Sequence, residues 1–132
     1  MLTFDQLTLE EGSPIYLQIV RYVRQGIAGG SIAHGAELPS RRVLSALLGV
    51  NPNTVQKAYR ILEDEGLIAS HTGAKSCVVA DDYTRARVRA LLLRAELAKT
   101  VDAMQRMGID LPEAHALLDQ VWDDPQKGGP EP

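Results

Sequence analysis

Residues Leu38 to Leu62 read LPSRRVLSALLGVNPNTVQKAYRIL, and they hold four basic side chains and no acidic one in a chain whose net charge is −3. Cationic charge is concentrated here. Asn51 and Pro52 supply a helix start, because an Asn N-cap satisfies an orphan N–H and a proline at the first helical position forfeits no donor. Val55, Ala58, Tyr59 and Leu62 recur at i, i+3, i+4 and i+7 as an apolar stripe, while Asn53, Gln56, Lys57 and Arg60 repeat that spacing on the polar side. One face is built to dock on a core and the other to meet DNA: Asn and Gln pair with adenine edges, Arg and Lys with guanine edges or phosphate. Upstream, a helix opening at Ser40 is expected to turn Val43, Leu44, Leu47 and Leu48 inward. Gly49-Val50-Asn51 then forms a tight link of the helix-turn-helix kind.

Working outward, Ser13-Pro14 opens a first helix whose stripe is Ile15, Ile19, Tyr22 or Val23, and Ile27, ending at Gly29-Gly30. Ser31 to Leu38 lacks periodicity and reads as a connection with a short extended piece. After Gly66, Leu67-Ile68-Ala69 and Ser76-Cys77-Val78-Val79 form two short strands around His71 to Lys75, a hairpin that would serve as a wing. Gly73 at its tip permits close backbone approach and Lys75 can reach phosphate. An ordinary surface hairpin accounts for the same residues.

A long helix follows from Asp82 to Met107, with Leu93, Leu97, Val101 and Met104 on one stripe and Val88, Leu91, Leu92, Ala95 and Ala98 beside it. Asp110-Leu111-Pro112-Glu113 caps a last helix carrying Ala114, Leu117, Leu118, Val121 and Trp122. Two helices with this much apolar surface are most simply a dimerisation element, formed by Leu92, Leu93, Leu97, Val101, Met104, Leu117, Leu118, Val121 and Trp122. Its two-fold symmetry would match two DNA half-sites. The fold expected is mainly α with one β-hairpin: a winged helix-turn-helix over residues 13–80, a two-helix dimerisation region over 81–123, and a disordered Pro- and Gly-rich tail over 124–132.

Composition bounds the alternatives. With 132 residues, 45% hydrophobic and 23% charged, the chain has room for one ordinary core and a small appendage. The net charge of −3 conceals an uneven distribution: Ser13 to Cys77 carries seven Lys or Arg against four acids, and Val78 to Pro132 seven against ten. A basic half that grips DNA and an acidic half that holds a second copy fit this division. No stretch is long and apolar enough for a membrane span, and Met1 to Glu11 has no basic signal-peptide region, so the expected location is cytoplasmic. One cysteine and three histidines in no ligand spacing imply neither a disulfide nor a metal site, and Cys77 reads as a small buried hydrophobe. No nucleophile, base and orienting group occur in a recognisable spacing and no glycine-rich phosphate loop is present, so neither an enzyme nor a cofactor is expected.

Other residues invite weighing. Tyr16 and Tyr59 lie in apolar stripes and read as core rather than base-stacking groups. Glu63, Asp64 and Glu65 form a solvated helix end rather than a metal cluster, and Arg85, Arg87 and Arg89 a solvated face rather than a second phosphate contact. Lys57 and Arg60 lie far enough into their helix to favour phosphate over base edges.

Ser13 to Val79 resembles the DNA-binding domain of the GntR family of bacterial regulators. The resemblance is carried by Pro14-Ile15-Tyr16-Leu17-Gln18-Ile19, Gly35-Ala36-Glu37-Leu38-Pro39-Ser40-Arg41-Arg42, Gly49-Val50-Asn51-Pro52-Asn53-Thr54-Val55, Ala58-Tyr59 and Leu62-Glu63-Asp64-Glu65-Gly66-Leu67-Ile68. The short remainder looks like the YtrA-like branch, which lacks large effector domains. The resemblance implies a homodimeric regulator, a repressor on a palindromic operator. It places Arg42 at the DNA beside Ser40 and the variable-position Arg41, puts Asn51, Asn53, Thr54 and Gln56 at the entering end of the recognition helix, and sets Gly73 over the minor groove. Pro52 stands where relatives often have a contact residue, leaving specificity to its neighbours. The wing run Gly73 to Val78 also departs from the usual Gly-x-Gly-Thr-Phe-Val form. A small-molecule effector enclosed by the later helices is left open, and a winged helix used for protein recognition without specific DNA binding is the competing function.

Overall fold

Gly49 takes a left-handed conformation at φ 67° to end one helix, and Asn51 starts the next by accepting the Asn53 N–H at 2.8 Å. Around this link the computed structural model describes residues 1–70 and 75–125. The helices are α1 (Ile15–Gly29), α2 (Arg41–Leu48), α3 (Pro52–Asp64), α4 (Asp82–Arg106) and α5 (Leu111–Trp122). Strands β1 (Ile68–Ser70) and β2 (Ser76–Val78) pair antiparallel in the register Ile68 with Val78, Ala69 with Cys77 and Ser70 with Ser76. The Ser31 to Leu38 connection contributes the expected extended piece. Leu38 N–H donates to the Ser76 carbonyl at 2.9 Å and Val78 N–H to the Ala36 carbonyl at 2.8 Å, with Glu37 bridging Cys77. Cys77 itself is half-buried rather than buried.

Contacts divide the chain into two units, Met1–Leu92 and Leu93–Pro132. The first holds the core. Ile19, Val20, Val23 and Ile27 of α1, Leu44 of α2, and Val55, Ala58, Tyr59 and Leu62 of α3 are all buried, joined by Leu67, Ile68, Val78 and Val88. The stripe expected on α3 is therefore the stripe that is buried. Tyr59 is tied by its hydroxyl, which donates to the Pro39 carbonyl at 2.7 Å, and burial raises its phenol well above the ordinary pKa despite the neighbouring Arg41 cation. It stays a neutral donor.

Two expectations need correction in this unit. Ser13 does not cap α1: the helix starts at Ile15 with Pro14 at the N-cap and no side-chain cap, because Pro14 has no side-chain acceptor. The Ser13 carbonyl instead accepts from Gln18 Nε2 at 2.9 Å. On α2, Val43 and Leu47 do not face inward; they are 49% and 70% exposed. This eight-residue helix buries only the narrow arc of Leu44 and Ser45, and the small Ser45, whose hydroxyl donates to the Arg42 carbonyl at 3.3 Å, leaves Val43 and Leu47 turned away. The compact unit, Met1–Leu92, takes in chain on both sides of residues 13–80. Phe4 is buried against the core with its ring 5.1 Å from that of Tyr22, and buried Gln18 pins the N-terminal arm by exchanging hydrogen bonds with the Glu10 backbone at 2.8 Å each.

The arginines after the hairpin do not form the solvated face expected of them. Arg85 Nε donates to the Ile27 carbonyl at 3.1 Å and Arg87 Nη2 to the Glu65 carbonyl at 3.1 Å, while Arg89 is exposed. Each guanidinium lies on the last turn of a helix, α1 or α3, where the backbone dipole favours a cation. Ahead of them, Asp81 caps α4 by accepting the Thr84 N–H at 2.8 Å.

The second unit is different in kind. α5 begins as expected, with Asp110 accepting the Glu113 N–H at 3.0 Å, but none of its residues is buried. The part of α4 in this unit buries none either. Leu93, Leu97, Val101, Leu118, Val121 and Trp122 are all exposed, whereas Met104 and Leu117 are half-buried, as is Leu92 at the end of the first unit. Of the expected tail, residues 126–132 lie outside the described residues. No helix among the described residues is long and apolar enough to cross a membrane.

Candidate nucleic-acid interface

Burial of Val55, Ala58, Tyr59 and Leu62 turns the opposite side of α3 outward, and the 3.6-residue period decides which side chains that side carries. Asn51, Asn53, Lys57 and Arg60 are exposed; Thr54 and Gln56 are half-buried on its margins. The acidic end of the helix is drawn away from this face. Glu65 forms a two-pronged ion pair with Arg24 of α1, its Oε1 accepting from Arg24 Nε at 2.9 Å, and Glu63 accepts the Ser70 hydroxyl at 2.8 Å. Glu65 is thus paired rather than merely solvated. Among the described residues no three His, Cys, Asp or Glu side chains gather to hold a metal ion.

The first turn of α2 supplies a second set of groups. Ser40 Oγ accepts the Val43 N–H at 3.1 Å, fixing the helix start, and Arg42 on this first turn is exposed. Arg41 behaves differently from its neighbour. Its guanidinium lies 5.2 Å from the centroid of the Tyr59 ring, and its Nε is buried with no hydrogen-bond partner among the described residues. It lines a groove of about 290 Å³ with Pro39, Ser40, Val43, Tyr59 and Lys75. Lys75, exposed immediately before β2, pairs with Glu37 at 3.5 Å across the mouth of this groove. The wing glycine Gly73 lies outside the described residues.

Ser40, Arg41 and Arg42 therefore share the opening turn of α2, and Asn51, Asn53, Thr54, Gln56, Lys57 and Arg60 share α3, with Lys75 immediately before β2 at the loop end of the hairpin. Sequence reasoning missed two partners of this surface: the aromatic rings of Tyr16 and Tyr59, over which Lys57 and Arg41 lie. Both tyrosines lie in apolar stripes of the sequence, and neither spacing signals that a cation crosses from the adjacent helix.

The arrangement defines a winged helix-turn-helix. Residues 15–78 match the family described as bacterial regulatory proteins, gntR family. The chain is 29% identical over 125 residues to the HTH-type transcriptional repressor YtrA of Bacillus subtilis (strain 168), covering 94% of this chain and 95% of that protein. Among solved structures, it resembles a GntR family transcriptional regulator from Listeria monocytogenes with TM-score 0.76 and 28% identity, covering 85% of this chain and 98% of that one. It also resembles YtrA from Sulfolobus acidocaldarius, a GntR-family transcription factor, with TM-score 0.53 and 37% identity over 72% of this chain and 99% of that one. The chain belongs to the GntR family: it is a DNA-binding transcriptional regulator, a non-enzymatic class of protein.

Proposed function

We propose that the protein is a homodimeric repressor that binds a palindromic operator in double-stranded DNA. The observation that carries this proposal is the division of α3 into a wholly buried stripe and an outward face of Asn53, Lys57 and Arg60, beside an exposed Arg42. Arg42, Asn51, Asn53, Thr54 and Gln56 are the base readers. Ser40, Arg41, Lys57, Arg60 and Lys75 serve phosphate, with Gly73 at the minor groove. Dimerisation runs through Leu92, Leu93, Leu97, Val101, Met104, Leu117, Leu118, Val121 and Trp122. The exposure of six of these side chains supports that role, since contiguous apolar surface left open to water marks an interaction site. The repressor assignment is supported by the printed name of the Bacillus subtilis relative, matched over nearly its whole length. The working location is the cytoplasm, where the DNA is, and a small-molecule effector held by the second unit is compatible with its open apolar surface.

The test is to incubate the full chain with sheared genomic DNA of its host near physiological salt, recover bound fragments and sequence them, with Arg42→Ala in parallel. A sharp two-fold motif that weakens in the variant by about 1–3 kcal/mol of binding is expected. Equal enrichment by the folded variant would remove Arg42 from the readout, and no enrichment by the wild type would overturn the proposal.

A further inference from the structure

Lys57 and Tyr16 belong to different helices, yet Lys57 Nζ lies 4.0 Å from the centroid of the Tyr16 ring. Tyr16 is half-buried and packs on the core through α1, so its ring is held by the fold. Lys57 is exposed and extends along the α1 side of α3. Arg60, three residues further along the same exposed face, has neither a ring beneath it nor an ion-pair partner among the described residues. One cation of the recognition face is therefore anchored and its neighbour is free.

We propose that Tyr16 is a positioning residue for DNA binding, holding the Lys57 ammonium on the α1 flank of α3 to receive a backbone phosphate. The proposal rests on α3 facing DNA. The negative face of the ring attracts the ammonium from one side, so N–H donors are left pointing away from it. A lysine held in this way loses less rotamer freedom when a phosphate arrives than a side chain that sweeps solvent. An ammonium is a compact point charge without the flat two-donor fork that reads a base edge, which assigns this contact to phosphate. Tyr16 thereby acts on affinity across all DNA sequences and leaves base preference to Asn53, Gln56 and Arg42.

The experiment measures binding of the full chain to a fragment recovered from genomic DNA and to a scrambled duplex, at several salt concentrations. It uses the wild type, Tyr16→Phe, Tyr16→Leu, Lys57→Met and the Tyr16→Leu/Lys57→Met double variant, each checked for folding by thermal melting. Tyr16→Phe should bind as the wild type does, because it keeps the ring face. Tyr16→Leu should weaken binding to both duplexes about two- to five-fold, the magnitude of an exposed cation–π contact. It should cost nothing further once Lys57 is Met, and Lys57→Met should reduce the salt dependence by about one phosphate contact. The proposal is overturned if Tyr16→Leu costs the same with and without Lys57, if Phe fails as badly as Leu, or if Lys57→Met alters base preference. A wild type that binds both duplexes equally overturns the operator reading as well, whereas a selective wild type with a flat Tyr16 series overturns this proposal alone.

Discussion

The unit ending at Leu92 closes a core of its own apolar side chains, and the described residues of the unit beginning at Leu93 do not. In the first, helices α1 and α3 bury their stripes against each other and against Leu44, and the outward side of α3 carries cations and amides. In the second, Leu97 and Trp122 remain 60% and 69% exposed although their helices are regular and, in the case of α5, properly capped. Helix formation and core formation are thus separable. Capping and periodicity are local and make a helix, but an apolar stripe is stabilised only where another surface covers it. The contrast gives the closed core to the first unit and leaves to the second the open apolar surface on which the proposed dimerisation rests.

Truncating equal amounts of leucine in the two units should break the symmetry most visibly. Leu44→Ala opens a cavity in the closed core and should cost about 2–5 kcal/mol in a urea titration. Leu97→Ala should leave the unfolding of the first unit unmoved and instead weaken self-association, measured by sedimentation. Similar losses of stability in both variants would contradict the distinction. The Arg87 clamp tests how firmly the start of α4 belongs to the first unit. Arg87→Met leaves the Glu65 carbonyl without its cationic donor and should cost about 1 kcal/mol, given partial exposure of a charged hydrogen bond, without changing sedimentation. Within the second unit, Asp110→Ala removes the α5 cap and should lower helicity by circular dichroism at a cost of about 1 kcal/mol.

The smallest effect is one of pH. The Thr84 backbone N–H, helped by the Thr84 side chain, holds the Asp81 carboxyl below the ordinary carboxylate range. A depressed folded pKa contributes stability that is present above the unfolded value and is lost as pH falls through the folded one, so this contribution should fade below about pH 4. Asp81→Asn should flatten that part of the acid limb of a melting-temperature profile. An unchanged limb would show that the cap carries no pH dependence.

How much of this was legible in the sequence varies with the kind of signal. α3 was readable because four apolar positions keep their period over a 13-residue helix and an Asn-Pro start fixes the phase. α2 misled because eight residues carry more apolar side chains than its narrow contact can cover, leaving Val43 and Leu47 outside. The N-terminal arm has no periodicity at all; it is held by one aromatic, Phe4, and by the bonds of Gln18 to main-chain atoms. Arg85 and Arg87 bind helix-end carbonyls, which any residue supplies and no motif announces. The residues proposed to face DNA are legible in the sequence as types and spacing, but the Tyr16 and Tyr59 rings beneath two of the cations depend on how helices cross.

Hydroxyl-radical footprinting of the wild type on a recovered genomic fragment joins both halves of the comparison in a single measurement. The protein should protect two patches related by a two-fold axis, their centres separated by about one helical turn, 10–10.5 bp, or a multiple of it. A single protected patch on the enriched motif would contradict the pairing assigned to the second unit, and protection unrelated to the motif would contradict the readout assigned to the first.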